Sequence, residues 1–268
     1  MIRFFDGGMG SMLNLAAGEL PEKLNISEPE RVFAVHKGYA DAGAEFITAN
    51  TFGANSLKYD NVDELVKAGV ALAKKAGKYV ALDIGPTGKL LKPMGDLEFE
   101  RAVELFAEVV RAGKDGSDVA IIETMSDMYE LKAAVIAVKE NSDLPIITSM
   151  IFDESGRLLT GGDVKSAVAM LEGLRVDAIG FNCGLGPKQM IPLVKELREC
   201  TSLPILVMPN AGLPESVDGK TVYNVSPDEF AQDMREIAKL GVSILGGCCG
   251  TTPKHIAKMI ELCKDIPD

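Results

Sequence analysis

The sequence predicts a single (β/α)₈ barrel that covers residues 1–268. Short apolar runs rich in β-branched residues recur about every 30 residues, and segments with apolar residues at helical spacing separate them. Eight such runs can be counted, whereas an open doubly wound sheet more often has about five or six strands. The length of 268 residues is also close to the roughly 250 residues typical of one barrel. No linker or low-complexity stretch divides the chain, so we expect one domain.

The predicted elements alternate strand and helix along the whole chain. The strand candidates, in chain order, are residues 2–5, 45–49, 79–83, 119–123, 145–151, 178–182, 204–208 and 243–245. Five helix starts are marked by a capping residue that precedes periodic apolar positions. These predicted N-caps are Ser27, Asp96, Asp127, Ser226 and Thr252.

Charge and composition exclude several function classes. The formal net charge is −11, from 39 acidic residues against 28 lysines and arginines. Nucleic acid and anionic membranes both require clustered basic residues, so neither is an expected partner. No apolar run is long enough to span a membrane, and the start lacks a signal peptide, so we expect a cytoplasmic protein. Five cysteines, an odd number, favour free thiols or metal ligands over a disulfide framework.

Polar and sulfur residues flanked by glycine follow seven of the eight predicted strands. In a (β/α)₈ barrel the functional residues lie at the carboxyl ends of the strands, where the loops converge. The sequence therefore predicts one shared pocket at this end of the barrel. The stretches are residues 6–10, 50–53, 83–88, 123–124, 182–184, 209–212 and 246–250.

Three cysteines at two strand ends are the strongest candidates for a metal site. Neighbouring side chains in a regular strand point to opposite faces, so Cys248 and Cys249 reach one point only where the backbone leaves strand geometry. Glycines at 246, 247 and 250 allow that departure. Cys183 ends the sixth strand and faces the same mouth. Three thiolates predict zinc, with one coordination position left open.

Two other interpretations of the cysteines stay open from the residues alone. Cysteine is often a small buried apolar residue, which we favour for Cys200 and Cys263 on their amphipathic helices. A disulfide between the adjacent Cys248 and Cys249 is a further alternative, which a reducing compartment disfavours.

An open position on zinc with three thiolates suits a substrate that brings its own sulfur. A free thiol has a pKa near about 8.5 and is mostly protonated at neutral pH, whereas coordination ionises it. The three thiolates leave the centre a weak electrophile but keep the substrate's sulfur electron-rich. The sequence therefore predicts alkylation of a thiol.

The first loop and two carboxylates predict the rest of the substrate. Consecutive backbone N–H groups in a glycine-rich loop form a concave anion site, which here would hold a carboxylate. Asp6 and Glu123 are the natural partners of an ammonium group, although each could instead be a structural carboxylate that caps a helix. The loop could equally be a turn without a ligand, and His36 and His255 are expected to be structural. The predicted substrate residues are Asp6, Gly7, Gly8, Met9, Gly10, Ser11 and Glu123.

Motifs spread over nearly the whole chain resemble the homocysteine S-methyltransferases, and within them the homocysteine-binding module of cobalamin-dependent methionine synthase. The resemblance implies a zinc-dependent methyltransferase on a barrel, with homocysteine as acceptor and zinc on the three cysteines. The last motif, residues 246–253, is the most specific. The motifs are residues 6–11, 21–25, 50–54, 85–88, 152–154, 159–162, 182–183, 209–212 and 246–253.

The resemblance also implies a fourth ligand and shows some departures from the family pattern. Asn210 is expected to be an exchangeable zinc ligand in the absence of substrate. A tyrosine near the second strand has this role in the betaine-using branch, and residues 51–55 contain none. Gly8 stands where alanine is usual and Ser11 where threonine is usual, which keeps the chemistry of the loop.

The methyl donor is expected to come from elsewhere. Cobalamin-dependent methionine synthase continues into folate-binding and cobalamin-binding modules, whereas this chain stops at Asp268, soon after the eighth unit. The first hypothesis is a methylated corrinoid protein as donor, and the second is a small donor such as S-methylmethionine, with homocysteine or a related thiol or selenol as acceptor. A third is a non-catalytic thiol-binding subunit of a methyl-transfer complex. The similarity to the methionine synthase module favours the first.

Overall fold

Eight parallel strands form one barrel in the computed structural model, which describes residues 1–15, 19–217 and 220–267. The strands are numbered in chain order, and neighbours around the sheet are β1 (Arg3–Phe4), β10 (Ile244–Leu245), β7 (Ile205–Met208), β6 (Ala178–Asn182), β5 (Ile146–Met150), β4 (Val119–Met125), β3 (Tyr79–Ile84) and β2 (Phe46–Thr48). The Glu45 N–H donates to the Phe4 carbonyl at 2.8 Å, and Phe5 pairs with Phe46 in parallel, so the two edge strands meet. The predicted (β/α)₈ fold is confirmed.

All eight predicted strands are present, and their ends differ from the predicted ones by at most two residues. The barrel strands are β1 (Arg3–Phe4), β2 (Phe46–Thr48), β3 (Tyr79–Ile84), β4 (Val119–Met125), β5 (Ile146–Met150), β6 (Ala178–Asn182), β7 (Ile205–Met208) and β10 (Ile244–Leu245). The α-helices are α1 (Met9–Leu13), α2 (Leu24–Ser27), α3 (Pro29–Asp41), α4 (Val62–Ala76), α5 (Phe99–Gly113), α6 (Met128–Asn141), α7 (Val164–Gly173), α8 (Pro187–Cys200), α9 (Pro227–Ala238) and α10 (Pro253–Cys263).

Three of the five predicted helix caps are confirmed. Asp127 accepts a hydrogen bond from the Tyr129 N–H, Ser226 forms a capping box with Glu229, and Thr252 is the N-cap of α10. These side chains use N–H groups that the first helical turn leaves without a partner.

The other two predicted caps were wrong. Ser27 ends the preceding helix α2, and its hydroxyl donates to the Lys23 carbonyl, so Glu28 caps α3 instead. Asp96 lies too early, because Leu97 still pairs with Leu91 and helix α5 begins only at Phe99. In both cases a local contact outside the helix decides where the helix can begin.

A short antiparallel hairpin between β7 and α9 was not predicted. Its strands are β8 (Glu215–Val217) and β9 (Lys220–Val222). Strands this short carry no readable alternation of apolar and polar residues, so periodicity alone does not reveal them.

The barrel interior changes from apolar to polar toward the carboxyl ends of the strands. Ala81 on β3 and Ile121 on β4 belong to the apolar cluster inside the barrel. Because side chains in a strand alternate between its faces, the next inward positions are Asp83 and Glu123, and both line a cavity above that cluster. The carboxyl end of the barrel thus presents ionisable groups above an apolar layer of side chains.

In the described part of the chain, no helix has the length and apolar character to cross a membrane.

Candidate active site

A cavity with about 240 Å³ of water-accessible volume opens at the carboxyl ends of the strands. Its lining combines sulfur, carboxyl groups and a glycine-rich loop, and none of the described residues that line it is a lysine, arginine or histidine. All the predicted site residues except Asn210 line it. They are Asp6, Gly7, Gly8, Met9, Gly10, Ser11, Glu123, Cys183, Cys248 and Cys249.

Cys183 turns into the cavity because the backbone leaves β6 in a left-handed conformation. The φ angle is +57° at Cys183 and +67° at Gly184. The Cys183 N–H still donates to the carbonyl of Met208 on the neighbouring strand, at 3.1 Å. A residue other than glycine with positive φ is strained, and such strain is held in place only by its surroundings.

Cys248 and Cys249 follow β10 in a loop that is tied to the end of β7. The Cys248 N–H donates to the Pro209 carbonyl at 2.8 Å, and the Cys249 N–H donates to the Asn210 side-chain oxygen at 3.1 Å. Gly250 ends this turn with φ of +78°. These bonds hold two adjacent residues in a non-strand conformation, which brings both sulfur atoms toward Cys183.

The three sulfur atoms fit a metal ion. The Sγ atoms of Cys183, Cys248 and Cys249 lie within 4.8 Å of one another, and those of Cys183 and Cys249 are 3.9 Å apart. Tetrahedral zinc with Zn–S bonds of about 2.3 Å requires S···S separations of about 3.8 Å. All five cysteines are free thiols, so the cluster could hold a metal without breaking a disulfide.

The cluster also favours ionisation of one of its thiols. Hydrogen bonds from the Cys183 and Cys248 thiols lower the pKa of Cys249, whereas the contacts of Cys248 with Cys183 and Cys249 raise the pKa of Cys248 well above its usual range. A cluster that already stabilises a thiolate needs to lose fewer protons when a cation binds.

Asn210 lies beneath the cysteine loop and does not line the cavity. It is 2% exposed, and its side-chain oxygen accepts a hydrogen bond from the Cys249 N–H. Its backbone N–H donates to the Leu185 carbonyl at 3.0 Å. The amide therefore supports the backbone of Cys249 in this structure.

Asp6 is oriented by Thr48, a residue that the sequence reasoning missed. One carboxyl oxygen accepts the Thr48 hydroxyl at 2.7 Å, and the other accepts the Thr48 N–H at 2.9 Å. Burial raises the pKa of Asp6 to about 7, although these two bonds oppose the shift. Thr48 is the second inward position of β2 after Phe46, so strand alternation could have revealed it.

Glu123 also lines the cavity, near the carboxyl end of β4. Burial raises its pKa to about 8, and the charges of Asp6 and Cys249 add to that effect. A carboxyl group with this pKa is mostly protonated at neutral pH, and a bound cation would favour its ionised form.

The backbone after Glu123 is held by Asn182, which the sequence reasoning singled out only as part of a motif. Thr124 has φ of +60°, a strained value for a β-branched residue. Asn182 compensates, since its side-chain oxygen accepts the Thr124 N–H at 2.8 Å and its amide donates to the Thr124 hydroxyl at 2.7 Å. Ser149 donates to the same oxygen at 2.8 Å. Asn182 thereby links Glu123 to the strand that carries Cys183.

The first loop is shorter than its glycine content suggests, because helix α1 begins at Met9 with Gly8 as its N-cap. The Gly8 N–H donates to the Thr251 hydroxyl at 3.2 Å, so it has a partner within the protein. The amides of the first helical turn, Met9 to Ser11, have no partner within the helix.

A Cβ at Gly8 would lie 2.7 Å from the Cys248 carbonyl oxygen. Glycine at this position therefore permits close packing of the loop against the cysteines.

Both histidines and the two remaining cysteines lie outside the cavity lining. His36 is fully buried in α3, and burial lowers its pKa to about 4. His255 contacts the Thr252 cap and the Val225 carbonyl. Cys263 is buried in α10, and Cys200 is half-buried at the end of α8.

A family model of homocysteine S-methyltransferases matches residues 3–263 of the chain. Two similar proteins are the methionine synthases of Mycobacterium leprae and Mycobacterium tuberculosis. The chain is 32% identical to the first over 294 aligned positions and 32% identical to the second over 292. Each alignment covers 97% of this chain but 24% of the synthase. The chain thus spans about a quarter of the length of these relatives.

Among solved structures, the chain is similar to the homocysteine methyltransferase MmuM from Escherichia coli. The metallated form gives a TM-score of 0.81 at 23% identity, over 96% of this chain and 95% of that one. The apo form gives a TM-score of 0.79 at 25% identity, over 97% of this chain and 95% of that one. The carboxyl transferase domain of Rhizobium etli pyruvate carboxylase gives a TM-score of 0.54 at 15% identity, over 92% of this chain and 40% of that one. The similarities below 25% identity establish the barrel fold alone.

Proposed function

The chain belongs to the homocysteine S-methyltransferase family, and from this premise we propose that it methylates the sulfur of homocysteine to give methionine, with zinc as its metal. The observation that carries the proposal is a single cavity lined by three clustered cysteines and two carboxyl groups of raised pKa. A substrate with a thiol at one end and an ammonium group at the other complements both.

Cys183, Cys248 and Cys249 would hold the zinc, since their spacing fits a tetrahedral site with one position left. When bound, zinc lowers the pKa of a further sulfur ligand, so that this sulfur is ionised and nucleophilic at neutral pH. Asn210 would be an exchangeable further ligand in the absence of substrate. Its side-chain oxygen would then have to turn from the Cys249 N–H, which is its partner in this structure.

The protein's own residues bind and orient the amino acid. Asp6 and Glu123 would accept hydrogen bonds from the ammonium group, which supplies the positive charge that the cavity lining lacks. The N–H groups of Met9, Gly10 and Ser11, which have no partner within α1, would bind the substrate carboxylate. Holding both groups fixes the direction of the side-chain sulfur, which is the positioning that an alkylation needs.

We propose a methylated corrinoid protein as the methyl donor. The proposal follows the motifs shared with the cobalamin-dependent methionine synthase module and the similarity to two methionine synthases over 97% of the chain. The cysteines lie at the open end of the barrel, where a donor held by another protein could approach the sulfur.

An assay with three donors tests the function and the donor together. Zinc-loaded protein and homocysteine are incubated with a methylated corrinoid protein, with free methylcobalamin or with S-methylmethionine, and methionine is quantified by mass spectrometry. We expect methionine to form fastest with the corrinoid protein. Preference for S-methylmethionine would overturn the donor proposal, and absence of methionine with all three donors would overturn the function.

Binding of homocysteine at pH 7 should release protons. The thiol, with an ordinary pKa near about 8.5, would bind as a thiolate. Asp6 and Glu123, with pKa values raised to about 7 and about 8, would lose protons when the ammonium binds. Calorimetry in buffers of different ionisation enthalpy measures the number of protons released. Homocysteine should bind more weakly as the pH falls below 7. Asp6 and Glu123 are then protonated in the free protein, and the free energy needed to ionise them on binding increases.

Norleucine separates the two sources of protons, because it has the ammonium group but no thiol. We expect it to release fewer protons than homocysteine, and the difference is the share of the thiol. Equal proton release by the two amino acids would argue against direct binding of the sulfur to the metal.

A further inference from the structure

Asp83 is a buried carboxyl group that the proposed chemistry has not used. It lies near the end of β3, at the inward position that follows Ala81, and it lines the same cavity as the cysteines. The residue is 6% exposed, and no described residue donates a hydrogen bond to its Oδ1 atom, which is buried.

Two of the neighbouring carboxyl groups, those of Asp6 and Glu22, accept hydrogen bonds at both oxygen atoms. Both oxygens of Asp6 accept bonds from Thr48. Both oxygens of Glu22 are also bonded, one to the Gly53 N–H and one to the Tyr59 hydroxyl, each at 2.5 Å. Asp83 therefore differs from Asp6 and Glu22 in having a buried oxygen atom without a hydrogen-bond partner among the described residues.

A buried carboxyl group without a partner is costly to the free protein, because it loses hydration and gains nothing in return. None of the described residues that line the cavity is a lysine, arginine or histidine that could compensate. Burial and the nearby charges of Glu123, Asp6 and Glu22 raise the pKa of Asp83 well above its usual range. A ligand that brings a positive charge into the cavity would ionise this carboxyl group and provide its missing partner.

We propose that Asp83 is a substrate-binding residue that accepts a hydrogen bond from the α-ammonium group, together with Asp6 and Glu123. The inference rests on the proposed function, since it takes the ligand to be an amino acid. A primary ammonium group has three N–H donors, and the three carboxyl groups offer one acceptor for each. Asp83 thus makes the site specific for an unsubstituted amino group, and N-methylhomocysteine should bind less tightly than homocysteine.

The test compares two thiols on wild-type and Asp83→Asn protein. Homocysteine and 4-mercaptobutanoate differ in the amino group alone, and calorimetry on zinc-loaded protein gives the dissociation constant of each. We expect Asp83→Asn to weaken homocysteine binding by about tenfold or more, as for truncation of a buried charge pair, and to leave 4-mercaptobutanoate and the zinc content unchanged. The free variant should unfold at the same temperature as wild type or higher, because it no longer buries an unpaired carboxyl group.

Asp115→Asn is the matched control. This exposed aspartate lies before the start of β4, at the opposite end of the barrel, and its replacement is the same aspartate-to-asparagine change. Asp83→Ala serves as a second variant if the asparagine variant does not fold. Unchanged homocysteine affinity, equal weakening of both thiols, or a lower unfolding temperature with normal affinity would each overturn the role of Asp83.

A measurement without the metal separates this inference from the proposed function. Norleucine and hexanoate differ in the amino group but have no thiol, so their binding to zinc-free protein reports on the ammonium site alone. A smaller preference for norleucine over hexanoate in Asp83→Asn than in wild type supports the inference even where methyl transfer is absent. A preference that is undiminished in the variant, or is missing from wild type, overturns it.

Discussion

Replacement of Cys248 by serine is expected to abolish zinc binding and methyl transfer together. Cys248 is one of three sulfur atoms that lie within 4.8 Å of one another, and two thiolates with a hydroxyl group are a much weaker zinc site than three thiolates. Wild-type protein should contain about one zinc per chain, measured by inductively coupled plasma mass spectrometry. The variant should contain almost none and form methionine at the background rate.

Cys200→Ser is the matched control for this prediction. Cys200 is also a half-buried free thiol, but it ends α8 and does not line the cavity. It should keep the zinc content and the activity of wild type. Circular dichroism must show that both variants are folded. A folded Cys248→Ser protein with full zinc and full activity would refute the proposed role of the cysteine cluster.

The barrel could be predicted because its strands repeat one simple pattern. Each strand is an apolar run bounded by turn residues, and β6 was predicted at its observed bounds, Ala178–Asn182. Helix starts were less predictable, since Leu97 pairs with Leu91 and delays α5 beyond the expected cap at Asp96. A contact that forms only in the folded chain leaves no local signal.

The sequence was enough to predict that the three cysteines and Glu123 lie close together, because the carboxyl ends of the parallel strands share one end of the barrel. The supporting bonds could not be predicted. Thr48 holds Asp6 across 42 positions of sequence, and Asn182 holds Thr124 across 58. Such pairs depend on the register and side-chain orientation of strands that are distant in the chain. Alternation in β3 would have placed Asp83 inside the barrel, but its lack of a partner is visible only in the folded structure.

Replacement of Glu123 by glutamine should weaken homocysteine binding by about thirtyfold or more while the zinc stays in place. The change keeps the size of the side chain and removes the charge expected to pair with the ammonium group. Loss of one partner of a buried charge pair costs on the order of 2–5 kcal/mol, which corresponds to about thirtyfold at its lower end. Calorimetry on zinc-loaded protein measures the effect.

A thiol without the amino group decides whether this loss belongs to the ammonium site. Glu123→Gln should leave the affinity for 4-mercaptobutanoate almost unchanged, because that ligand has no ammonium group for Glu123 to bind. Glu140→Gln, an exposed change on α6, should leave both ligands unaffected. If the two thiols are weakened alike, Glu123 acts on the cavity or the metal rather than on the ammonium group. If homocysteine is not weakened at all, Glu123 is structural, and the assignment of an amino acid substrate loses its main support.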